Sequence, residues 1–167
     1  MSGLRIVSFL PAATEMIYLL QLGDQLVGRS HECDYPLQVK DKPVIVDCAL
    51  DLSEMSVSEI DAAVSRQLAT GKSLYRVDEA RLRAAAPDIL VTQNLCQACG
   101  PAGNEVSQVL KSMSAPPRII WQTPSNFAEV IEWPAQLANA GTSVRTCRAR
   151  AAPISGCPAP EMWPSTG

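Results

Sequence analysis

Short apolar runs alternate with amphipathic stretches along most of this chain. Residues 5–10 (Arg-Ile-Val-Ser-Phe-Leu) form a compact apolar run that reads as a strand and is stopped by Pro11. Pro11 then opens a helix predicted through about residue 22, in which Ala13, Ile17 and Leu20 share one face, and Gly23 ends it. Residues 25–28 predict a short second strand, and Pro43-Val44-Ile45-Val46 a third that is buried on both faces. Ser56 and Glu59 have capping-box spacing, and Val57, Ile60, Val64 and Leu68 make the apolar face of the helix that follows, down to Gly71. Asp78 caps a further helix containing Leu82, closed by Pro87. Residues 88–92 are the clearest strand. A helix over 105–113 (Val106, Val109, Leu110, Met113), a strand over 118–121 and a helix started by Asn126 and Glu129 complete the pattern.

Strands alternating with helices imply βαβ units, and hence an α/β fold with a mostly parallel sheet flanked by helices. At 167 residues the chain suits one such domain. The pattern is consistent to about residue 132 and then fails. Pro134 is expected to interrupt the helix begun at Asn126, because a proline inside a helix removes a hydrogen bond and clashes with the preceding turn. Residues 133–167 hold one of the 17 acidic residues and five of the 13 prolines. The expected division is therefore a lobe over 4–122, the start of a connector helix over 123–133, and an irregular tail over 134–167. That tail is either disordered or the product of a reading-frame shift near Trp133.

Composition narrows the classes of function. A net charge of −3 with no basic cluster gives no footprint for nucleic acid or an anionic membrane, and 5% aromatic content is too little for a base-stacking platform. No window approaches the length of a membrane-spanning helix, and no signal-peptide pattern precedes residue 5. As written, the chain is expected to be cytoplasmic, and periplasmic only if its start is placed wrongly. Glycine-rich phosphate loops, nucleophile elbows and zinc-protease motifs are absent, so enzyme activity is not expected.

Two loops hold the candidate chemistry. The single histidine lies in Ser30-His31-Glu32-Cys33-Asp34-Tyr35-Pro36, and a second loop reads Gln93-Asn94-Leu95-Cys96-Gln97-Ala98-Cys99. Both follow predicted strands, and loops leaving the carboxyl ends of parallel strands share one rim. His31, Cys33, Cys96 and Cys99 are candidates for a zinc or other metal site, with Glu32 and Asp34 orienting the imidazole. A redox dithiol at Cys96 and Cys99 is a second reading, and free thiols without a role are a third. Tyr75 and Arg76 read either as ligand contacts or as part of an exposed linker. Asp47, Asp51 and Glu54 read as solvated loop charges.

Several segments together resemble one family: residues 5–15 (R-I-V-S-F-L-P-A-A-T-E), 30–36, Leu74-Tyr75 with Asp78, 87–93 and the Cys96/Cys99 pair. They are similar to cobalamin-binding proteins related to the periplasmic substrate-binding components of vitamin and iron-siderophore ABC transporters. The resemblance implies two α/β lobes joined by a rigid helix, with this chain as the N-terminal lobe and a truncated connector. It also implies non-catalytic binding of cobalamin or a related metal chelate, in transport with an ABC permease or in intracellular handling. Pro11, Thr14, Glu15, His31, Glu32, Cys33, Asp34, Tyr35, Tyr75, Gln93, Cys96 and Cys99 would then line this lobe's half of the ligand cleft.

Overall fold

The computed structural model describes residues 3–94, 109–111 and 113–150, with side chains as far as residue 140. Six strands form one sheet: β1 (Ile6–Ser8), β2 (Leu26–Ser30), β3 (Val44–Cys48), β4 (Tyr75–Val77), β5 (Ile89–Thr92) and β6 (Arg118–Trp121). Their order is β4-β3-β2-β1-β5-β6. Every pairing is parallel except β3 with β4. The α/β fold with a mostly parallel sheet is thus present, with one antiparallel strand at its edge. Helices α1 (Pro11–Leu19), α2 (Val57–Ala69), α3 (Glu79–Ala85) and α4 (Phe127–Arg150) accompany it.

Strand alternation sorts the core into two layers. Ile6, Ile89, Val91 and Ile120 join Ala13 and Ile17 of α1 and Leu137 and Ala140 of α4 in one buried cluster. Val7, Phe9, Ile45, Leu90 and Leu82 of α3 belong to the other. Neighbours in sequence fall in different clusters because successive strand side chains point to opposite faces. Gly28 in β2 sits where a Cβ would come 2.1 Å from the Ile45 side chain, so the bare backbone lets β3 pack close.

Two segments differ from what the sequence predicts. The stretch around Tyr75 is strand β4 and not a linker; its residues pair with β3 in the register Val46 with Val77 and Cys48 with Tyr75. Pro134 does not end the last helix: α4 runs from Phe127 to Arg150 with the proline inside it. Its start is capped as predicted, Asn126 Oδ1 accepting from the Glu129 N–H at 3.1 Å. Tertiary packing outweighs the proline's cost, since Trp133, Leu137 and Ala140 are all buried and the last two join the α1 cluster. Cys96 and Cys99, and most of the helix predicted over 105–113, lie outside the described residues.

Candidate functional site

Strands β1, β2, β5 and β6 run the same way, so their carboxyl ends lie along one rim. The fully buried polar residues among those described gather there. Ser8, Ser30 and Thr92 are the last residues of β1, β2 and β5, Gln122 directly follows β6, and Thr14 lies in the first turn of α1. Burying polar side chains is costly unless they are bonded, so their concentration at one edge marks that edge out from an ordinary core. Ser8 shows how they are satisfied: its hydroxyl donates to the Leu10 carbonyl at 3.0 Å and closes the turn that leads into Pro11.

The histidine loop leaves this rim from β2. His31 N–H still donates to the Val46 carbonyl at 2.8 Å, after which the chain turns, with Cys33 N–H donating to the Ser30 carbonyl. Arg29 holds the loop from behind, its Nη1 donating to the carbonyls of Ser30 and Cys33, each at 3.1 Å. The His31 ring is tilted against Tyr75 of β4 with centroids 6.4 Å apart. Tyr75 also donates its hydroxyl to Glu32 Oε1 at 3.4 Å. Asp47 of β3 places Oδ1 3.9 Å from His31 Nδ1, beyond hydrogen-bond reach. Nδ1 is buried without a hydrogen-bond partner. The loop then passes through a cis Tyr35–Pro36 bond, leaving Tyr35 and Leu37 exposed.

Cys33 faces elsewhere. It is buried in the α1 cluster, where its sulfur accepts from the Thr14 hydroxyl at 3.1 Å, whereas Tyr75 beside His31 belongs to the other cluster. Burial pushes the Cys33 thiol above its ordinary value, and the Thr14 bond offsets this only in part. The folded protein therefore keeps a proton that the unfolded chain gives up. This contribution to stability is complete below pH 9.0 and is lost as pH rises through the folded value. We expect the urea midpoint to fall above that pH, and a Cys33→Ala variant to show a shallower fall. Parallel curves for the two proteins would contradict the assignment.

Of the candidates read from sequence, the structure brings His31, Glu32 and Tyr75 together, and Thr14 with Cys33. Glu15, Asp34 and Tyr35 are exposed, and Pro11 and Gln93 are half-buried at the rim. Asp47, read as a solvated loop charge, is instead the carboxylate nearest the imidazole, a place the sequence had assigned to Glu32 and Asp34. Arg29 and Gln122 were not anticipated. Among the described residues no three His, Cys, Asp or Glu side chains are placed to hold a metal ion, and the cysteine pair needed for the predicted set lies outside them. No described helix is long and apolar enough to cross a membrane.

No family model and no curated protein matches the chain. Solved structures do. The periplasmic heme-binding protein RhuT from Roseiflexus sp. RS-1, in apo form, superposes with a TM-score of 0.53 at 16% identity, over 89% of this chain and 47% of that one. A periplasmic heme-binding protein from Pseudomonas aeruginosa gives 0.53 at 14% identity, over 89% and 44%. A possible iron-binding (periplasmic solute-binding) protein from Staphylococcus epidermidis ATCC 12228 gives 0.50 at 21% identity, over 87% and 46%. The chain spans about half the length of each structure it matches. With a likeness at this level of identity resting on fold, the chain has the fold of a single lobe of the two-lobed periplasmic substrate-binding proteins.

Proposed function

We propose that residues 4–122 form the N-terminal half of a non-catalytic receptor for a metal chelate of tetrapyrrole size, with cobalamin or a related corrinoid as its ligand. One observation carries this reading. The buried polar residues and the His31 loop share the carboxyl rim of the parallel strands, where open α/β sheets bind ligands. Heme-binding and possible iron-binding proteins of the same fold support a metal chelate, and the sequence resemblance supports a corrinoid in particular.

In this reading His31 turns its outer nitrogen to the chelated metal. Asp47 stands 3.9 Å behind Nδ1, and in this reading it closes to a hydrogen bond that orients the imidazole once the outer nitrogen meets the metal. Tyr75 and Glu32 fix one side of the ring, and exposed Tyr35 and Leu37 offer apolar contact to the macrocycle. A second lobe would cover the other face of the ligand, as clefts that bury most of a ligand bind it best. Delivery to an ABC permease completes the proposal. A zinc site or a dithiol would need Cys96 and Cys99, and the neutral, buried Cys33 is a poor third ligand.

The test is a visible-spectrum titration of the purified, reduced protein with cobalamin and with hemin, with metal content assayed on the same sample. A saturable shift with cobalamin, stronger than with hemin, is the expected result. A folded sample that shifts with neither would overturn the reading.

A further inference from the structure

We infer that Arg29 is the positioning residue of the candidate site: its guanidinium holds the His31 loop in its binding shape before any ligand arrives. This rests on the chelate-binding reading above and names a residue, itself no ligand contact, on which the affinity depends.

Arg29 lies in β2, two residues before His31, and is half-buried. Its Nη1 donates to the carbonyls of Ser30 and Cys33, each at 3.1 Å, and reaches the His31 carbonyl at 3.5 Å. Its Nε donates to the Lys42 carbonyl at 3.2 Å. One side chain thus ties three carbonyls at the start of the loop to the segment that enters β3.

An arginine drawn partly out of water ordinarily sits against a carboxylate. Among the described residues this one meets none, although Glu32 and Asp34 belong to the loop it holds. Its partners are backbone carbonyls, which carry no net charge. What Arg29 supplies is therefore shape. No other described donor reaches the His31 or Cys33 carbonyl. No hydrogen bond at Nδ1 steers the imidazole either, so the ring goes where the backbone carries it. A lysine could not do the same, because its three donors radiate from one atom, whereas the guanidinium spreads five over a rigid plane.

The consequence for binding is quantitative. When a site is in its competent shape only part of the time, its apparent affinity falls by that fraction. With Arg29 in place the loop avoids this loss, and without it the loss appears in the dissociation constant.

The experiment uses the full chain and takes two readings: hydrogen exchange at the Cys33 amide without ligand, and cobalamin affinity by visible titration. That amide donates to the Ser30 carbonyl only while the loop keeps its shape. Arg29→Lys is expected to abolish its protection, with β1 and β5 as protected as in wild type. Cobalamin affinity should fall about tenfold, as for a loop in place about a tenth of the time. The band of the saturated complex should keep its wild-type position, since His31 still meets the metal once bound. Arg5→Lys is the control. Arg5 Nε donates to the Ala85 carbonyl at 2.7 Å beside the opposite end of β1, so both readings should match wild type. If Arg29→Lys does not fold, Arg29→Gln, with two N–H donors in place of five, takes its place. Protection retained in a folded variant overturns the inference whatever cobalamin does. Protection lost with affinity unchanged overturns it too, because the loop's shape would then not matter to binding. Failure of both variants to fold would make Arg29 a residue of the whole fold and overturn it as well. A wild type that binds no cobalamin overturns the chelate reading, while exchange in the ligand-free chain still decides whether Arg29 holds the loop.

Discussion

Replacing Pro134 with alanine is expected to stabilise the protein by roughly 2 kcal/mol, a rise in melting temperature of about 4–8 °C. Pro134 is the eighth residue of α4, too far in for the proline tolerated at a helix's first turn. It cannot donate to the Val130 carbonyl, and its ring crowds the turn before it. Proline in a helix interior costs about 3 kcal/mol relative to alanine. Part of this is offset, because proline also restricts the unfolded chain, which is worth roughly 0.4–1 kcal/mol. The difference is the expected gain. It depends on the helix being continuous, as the burial of Trp133 before the proline and of Leu137 and Ala140 after it requires. Thermal unfolding with helical circular dichroism checks the point. A Pro134→Ala variant that melts no higher than wild type would mean that the helix already ends at residue 133.

That helix shows how far the chain could be read unaided. Local signals located β1, β2, β3, β5 and β6 as apolar runs, and α1, α2 and α3 by their periodicity and caps. Asp78, for instance, accepts from the Arg81 N–H at 2.9 Å as its place before a helix predicts. What failed depended on partners distant in sequence. Tyr75–Val77 is too short to declare itself, and it becomes a strand only because β3 offers its edge. The continuation of α4 past Pro134 depends on apolar contacts with α1, across more than a hundred residues of chain. The site divides in the same way. The His31 loop announces itself by composition, whereas Asp47 reaches the imidazole only through the β2–β3 register that pairs Ser30 with Val46. Gln122 carried no signal at all, since one amide after an apolar run is unremarkable until its burial is known.

The larger effect on function is expected at His31. On the proposed reading, His31→Ala removes the nitrogen that meets the chelated metal, while Asp47→Asn removes the carboxylate that orients it. Partners behind a metal-binding histidine are worth about 10–100-fold in affinity, so Asp47→Asn should weaken cobalamin binding about tenfold and His31→Ala about a hundredfold. The two losses should not add, because Asp47 acts only through the ring, and the double variant should bind like His31→Ala alone. Cys33→Ser supplies the contrast. Its sulfur is buried beside Thr14 in the α1 cluster, so this variant should change stability and leave the titration curve alone. The readout is the visible band of the bound corrinoid, which responds to a nitrogen on cobalt and not to the protein's stability. His31→Ala titrating like wild type, in position and shape of that band, would remove the imidazole from the metal. Any binding left would then rest on contacts to the rim of the macrocycle.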